Sequence, residues 1–77
     1  MPHVVVKLIA GRPESLKRRL AEQIVRDVSS ILEVDADSVS VALEDVRVGE
    51  WMSAVYEPEI APALDTLYKQ PGYGPRG

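Results

Sequence analysis

The 77-residue sequence contains no cysteine and a single histidine. The first absence removes disulfides and thiolate metal sites, and one histidine does not build a zinc centre alone. Basic residues are also in deficit: 9 lysines and arginines stand against 12 aspartates and glutamates, a net charge of −3. With no basic cluster, neither nucleic acid nor an anionic membrane surface is an expected partner. No apolar run approaches the roughly 20 residues that a bilayer-spanning helix needs. No basic segment leads into an apolar one at the start, so no secretory signal is expected. These absences predict a cytoplasmic globular domain that works without a metal.

What is present is ordinary in bulk, 45% hydrophobic and 27% charged. The whole chain, residues 1–77, reads as a single domain. A domain this small buries only about 60% of its unfolded surface. Disulfides, a metal or oligomerisation usually make up the deficit. With the first two removed, self-association remains.

Along the chain, His3 to Ile9 (HVVVKLI) is valine-rich and apolar at nearly every position, the pattern of a strand covered on both faces. Pro2 stands directly ahead of it. Proline brings no backbone donor to a sheet and is tolerated only at an edge or at a first residue. It either caps the strand or is itself the group on display. Gly11, Arg12 and Pro13 break the apolar pattern. Pro13 suits a first helical position, and Glu14 favours the positive end of a helix.

From Glu14 to Leu32, Leu16, Leu20, Ala21, Ile24, Val25, Val28, Ile31 and Leu32 recur in steps of three and four. Lys17, Arg18, Glu22 and Arg26 occupy the opposite face, so the stretch predicts an amphipathic helix. A polar turn, EVDAD, leads into DSVSVALED. There Val39, Val41 and Leu43 alternate with Ser40, Ala42 and Glu44, the period of a strand. Two strands joined through a helix are normally parallel with a right-handed crossover, which predicts a βαβ unit.

VRVGEWMSAVYE is expected to be irregular or to hold a short helical turn. EPEIAPALDTLYKQ predicts a second helix with Ile60, Leu64, Leu67 and Tyr68 on one side and Pro62 at its start or kinking it. The closing residues 72–77 read as a loose tail. Two strands do not make a self-sufficient sheet, and their open edges invite pairing. The fold class is therefore α/β (α+β): one βαβ unit with a C-terminal helix, its sheet completed by a homo-oligomer.

These residues together resemble a known family. Pro2 behind Met1, a strand ending in LIAGR, an amphipathic helix, a DSVSV strand and an aromatic at VGEW are similar to the 4-oxalocrotonate tautomerases. WMSAVYEPEIAPALDTLYKQPGY resembles more closely the short dimeric bacterial members of that superfamily. The resemblance covers nearly the whole chain and implies a tautomerase/MIF-like fold. It also implies a cofactor-free keto–enol isomerase whose base is an amino-terminal proline nitrogen, here Pro2 after removal of Met1. A dimer is favoured over a hexamer on the same ground.

The chemistry supports that implication. Within a chain, proline nitrogen is an amide and a poor base; at a terminus it is a secondary amine. Model α-amino groups titrate at about 7.7–8.0. An apolar cavity and nearby cations both disfavour the ammonium and lower that value. General acid–base catalysis needs a base tuned in this way.

By the same resemblance, Arg12 binds a substrate carboxylate, for which guanidinium is suited. Trp51 matches an aromatic wall. Strand residues rise about 3.3 Å each, so Arg12 lies on the order of 25–30 Å from Pro2 along its own chain. If both serve one site, Arg12 comes from another subunit. Ser40 departs from the family pattern, in which a second arginine stands at its position. Parallel strands place Ser40 near Pro2, where it can donate to a carbonyl oxygen but cannot pair with a carboxylate. That favours a monocarboxylate enol, such as a 2-hydroxy-alkenoate or an arylenolpyruvate, over a dicarboxylate.

His3 adjoins Pro2, but strand alternation turns their side chains apart. Tyr56, Tyr68 and Tyr73 are expected to pack, and Glu44 and Asp45 face opposite sides of a strand. Two alternatives stay open. Superfamily dehalogenases, hydratases and decarboxylases use a cationic proline as an acid, although no clear water-activating carboxylate is evident here. A non-catalytic oligomer that binds a small acid is the other.

Overall fold

The computed structural model describes residues 1–75. Arg76 and Gly77, the end of the expected tail, lie outside the described residues. The chain divides into two compact units, Met1–Asp45 and Val46–Gly77.

The first unit holds strand β1 (His3–Ile9), helix α1 (Glu14–Leu32) and most of strand β2 (Ser40–Val46). The two strands pair directly in a two-stranded sheet. His3 meets Ser40 and Lys7 meets Glu44, a constant offset of 37 residues, so the strands run parallel. The βαβ expectation holds, and β1 and α1 occupy the expected residues.

Helix α1 begins one residue later than Pro13. That residue is extended (φ −67°, ψ 153°) and acts as the cap, its carbonyl accepting from the amides of Leu16 and Lys17 at 3.1 and 3.4 Å. Gly11, at φ +125°, supplies the left-handed turn between strand and helix. At the other end Glu33 takes up the left-handed conformation (φ 55°, ψ 49°), and its amide and that of Val34 both bond the Ser29 carbonyl.

The apolar stripe of α1 is only partly used within one chain. Ala21, Ile24, Val25 and Val28 are half-buried, whereas Leu16, Leu20, Ile31 and Leu32 stay exposed, Ile31 at 76%. Two strands about 4.8 Å apart form a platform too narrow to cover the whole stripe. Val41, Leu43 and Asp45 lie toward α1, as the Lys17–Asp45 ion pair at 3.0 Å and a shared pocket show. Alternation then puts His3, Val5, Lys7, Ser40, Ala42 and Glu44 on the face away from α1. Val5 there is 45% exposed, so β1 is not covered on both faces within one chain. An open-edged two-stranded sheet with uncovered apolar side chains suggests oligomerisation.

The second unit winds as a 3₁₀ turn (Val48–Glu50), a π-helix (Met52–Ile60) and a 3₁₀-helix (Ala61–Thr66). Sequence reading starts this helix at Glu57; it starts at Met52. The coil is not α-helical, because Pro58 and Pro62 withhold two amide donors from the ladder. Bonding widens instead, with the amide of Ala61 reaching the carbonyl of Tyr56. Leu67 is already extended, at ψ 134°, so Leu67 and Tyr68 fall beyond the helix. Tyr68 is fully exposed, which corrects its assignment as a packing residue.

Among the described residues Val55 and Tyr56 are the buried hydrophobic ones, at 5% and 4% exposure. Tyr73 stacks obliquely on Tyr56, with centroids 5.8 Å apart and planes at 49°. Gly74 lies against the same ring. Part of the 72–77 stretch is therefore packed. No helix among the described residues is long and apolar enough to cross a membrane.

Candidate active site

Each strand of the first unit contributes its opening residues to one place. Asp35 starts the approach to β2: its side chain accepts from the amide of Asp37 at 3.1 Å, and its carbonyl accepts from the amide of Ser38 at 2.9 Å. The Val39 amide closes the turn on the Ala36 carbonyl at 3.1 Å. This polar turn, built from Asp and Ser side chains that suit it, delivers Ser40 to the first ladder position. There the Ser40 amide donates to the Pro2 carbonyl at 3.1 Å.

Pro2 therefore stands immediately ahead of β1 with its carbonyl bonded to the Ser40 amide. It is half-buried, whereas Met1 before it is fully exposed. While Met1 is attached, the Pro2 nitrogen is a tertiary amide with no basicity. Removal of Met1 would leave a secondary amine at the opening of the sheet.

The Ser40 side chain makes a second bond. Its Oγ lies 2.6 Å from Nδ1 of His3, across the strands on the face away from α1. Ser40 is thus tied to two successive residues of β1, through its amide to Pro2 and through its hydroxyl to His3. Sequence reasoning set His3 aside because alternation turns it from Pro2. The missing signal was register: the 37-residue offset puts residue 3 opposite residue 40, and no composition or period encodes that number.

Arg12 is at the far end of β1 from Pro2. It is exposed, and its Nη1 donates to the Ile9 carbonyl at 2.9 Å. One chain accordingly does not bring Arg12 to Pro2, as the strand length predicts. A guanidinium has five N–H donors, so one bond to a carbonyl leaves a fork for an external carboxylate.

Trp51 belongs to the second unit. It is half-buried and its indole N–H donates to the Tyr73 phenol oxygen at 2.9 Å. Tyr73 was read as lying in the tail, and neither hydrophobic period nor turn chemistry marks it as a partner of Trp51.

A further ion-pair cluster lies at the start of α1. Lys17 is held above the ordinary lysine value, first by its hydrogen bond to Asp45, then by the charges of Asp45 and Glu14 acting against desolvation. This cluster ties α1 to β2.

Comparison with known proteins gives the fold and site their context. The family described as tautomerase enzyme matches residues 2–56. A probable tautomerase of Xylella fastidiosa is 45% identical over 74 residues, covering 96% of this chain and 90% of that protein. Tautomerase PptA of Cronobacter sakazakii is 39% identical over 74 residues, covering 95% of this chain and 97% of that protein. Among solved structures, a 4-oxalocrotonate tautomerase homologue superposes with a TM-score of 0.63 at 33% identity, over 66% of this chain and 81% of that one. The match begins at Pro2 and carries through β1, α1, β2 and Trp51. By sequence and by fold, this chain belongs to the 4-oxalocrotonate tautomerase family.

Proposed function

We propose that the protein is a cofactor-independent keto–enol tautomerase acting on a 2-hydroxy-alkenoate or an arylenolpyruvate, with the amino-terminal nitrogen of Pro2 as general base. Family membership supports tautomerase activity. The observation that supports the finer reading is the pairing of Pro2 with Ser40 at the head of the sheet, which ties the proline carbonyl to the first residue of β2.

In this mechanism the neutral secondary amine takes a proton from the enol hydroxyl or from carbon. It returns the proton along the conjugated system as the π bonds shift between carbon and oxygen, so the only σ bonds made or broken are those to hydrogen. Arg12 of a second copy holds the substrate carboxylate in a fork of N–H donors. Trp51 supplies an apolar wall that excludes water and disfavours the ammonium form of the amine. Ser40 donates to the oxygen on which charge builds, the kind of stabilisation that often contributes most. With serine rather than a second arginine at this strand, the site suits one carboxylate rather than two. A homodimer completes the sheet and brings Arg12 to Pro2.

The test is turnover of phenylenolpyruvate by the Met1-free protein and by Pro2→Ala. An alanine terminus keeps a primary amine but loses the ring that fixes the lone pair. The expected result is a kcat/KM at least about 100-fold lower, within the usual contribution of a positioned base, with fold and oligomeric state unchanged. Undiminished turnover by Pro2→Ala overturns the mechanism.

A further inference from the structure

The bond between His3 and Ser40 constrains the hydroxyl that the proposed mechanism uses. A serine hydroxyl has one hydrogen and two acceptor lone pairs, and a neutral imidazole has one donor and one acceptor nitrogen. The Ser40 amide is committed to Pro2, so its hydroxyl hydrogen is the only donor this residue has left. At 2.6 Å from Nδ1, the Oγ necessarily shares a hydrogen with the imidazole.

Two arrangements satisfy that geometry. If Ser40 donates to Nδ1, its hydrogen is consumed and the hydroxyl offers only lone pairs to a ligand. If Nδ1 carries the hydrogen, Ser40 accepts from His3 and its own hydrogen points elsewhere. Only the second arrangement leaves Ser40 able to stabilise a developing oxyanion. Within one chain both His3 and Ser40 are exposed, and no described residue of the same chain covers the hydroxyl.

We infer that His3 is a positioning residue for the tautomerase reaction: it donates from Nδ1 to Ser40 and turns the Ser40 hydroxyl hydrogen toward the substrate's enol or keto oxygen. The inference rests on the proposed function above and assigns to the His3–Ser40 pair the oxygen-binding half of the site. Where the family pattern has a second arginine, the pair offers an oriented hydroxyl donor. Such a donor recognises a ketone or enol oxygen and leaves carboxylate binding to Arg12.

The test compares His3→Phe, His3→Asn, His3→Gln, Ser40→Ala and their His3→Phe/Ser40→Ala combination in the Met1-free protein, with phenylenolpyruvate as substrate. Removing an oriented donor is expected to lower kcat by about tenfold to a hundredfold. KM should stay within about twofold, because Arg12 still anchors the substrate. His3→Asn keeps a donor near the Nδ1 position and should recover most of the loss, whereas His3→Gln, whose amide reaches past it, should not. The double variant should be no slower than Ser40→Ala, since His3 acts through Ser40. Circular dichroism and sedimentation establish that each variant folds and assembles; if His3→Phe does not, His3→Gln carries the comparison.

Full activity in His3→Phe or His3→Gln, or losses that multiply in the double variant, overturns the inference. If Pro2→Ala is inactive while the His3 variants are unaffected, the positioning role fails and the proline mechanism stands. If Pro2→Ala is fully active, the mechanism itself has failed.

Discussion

The indole of Trp51 is pinned by Tyr73, whose phenol oxygen accepts its N–H at 2.9 Å while the phenol ring leans on Tyr56. A residue 22 positions downstream thereby sets the orientation of the only tryptophan in the chain. Tyr73→Phe keeps the ring contact and deletes the acceptor. The cost to folding is expected to be about 1 kcal/mol, read from urea unfolding midpoints. The emission of Trp51 should shift as its N–H turns to solvent. The wall role proposed for Trp51 predicts that KM for phenylenolpyruvate rises more than kcat falls.

Gly74 is the second fixed point of that closing segment. Its φ of +134° lies where side chains are rarely accommodated, and an added Cβ would come within 2.9 Å of the Tyr56 Cζ. The Tyr56 ring is 4% exposed and has little room to retreat. Gly74→Ala should destabilise the protein by about 1–3 kcal/mol, whereas alanine at Gly72, where a Cβ meets nothing within 4 Å, should be well tolerated. Thermal unfolding of the two variants side by side checks this.

Lys17 gives a pH signature. Its raised pKa, due first to Asp45, means that folding stabilises the protonated amine. That contribution is complete below the ordinary lysine value and is lost as pH climbs through the raised value in the folded protein. Asp45→Asn should therefore lower the unfolding midpoint at neutral pH, and its deficit relative to the parent should shrink in strongly alkaline solution. A deficit that persists undiminished there would place the effect of Asp45 outside the ion pair.

At the C-terminal end of α1, Glu33 sits at φ 55°, a conformation that costs a side-chain-bearing residue about 1–2 kcal/mol and glycine almost nothing. Glu33→Gly should stabilise the fold by up to about 1 kcal/mol, after the greater freedom of glycine in the unfolded chain is set against it. Urea titration of the variant gives the sign directly.

Much of this architecture is legible in the residues themselves. The valine run of β1, the three-and-four spacing of α1 and the alternation of β2 each write their period into the sequence. Pro2, Arg12, Ser40 and Trp51 stand out by residue type and place. What periodicity does not carry is pairing between distant segments. The offset that sets His3 against Ser40 depends on the length of the crossover and its turn, and the seat of Tyr73 beside Trp51 depends on how the last helix closes. The wide and tight windings around Pro58 and Pro62 were hidden for a different reason. Proline announces that an α-ladder is interrupted, but not whether the backbone will break, kink or change its bonding step.

The proposed proline base is open to one direct measurement: an ¹⁵N NMR titration of the Pro2 nitrogen in Met1-free protein, overlaid on the pH dependence of kcat/KM for phenylenolpyruvate. A base requires activity to rise in step with loss of the proton from that nitrogen, at a pH shifted down from a free secondary amine toward neutrality. Activity that is already full while the nitrogen is still charged, or that falls as it becomes neutral, would contradict a general-base role for Pro2.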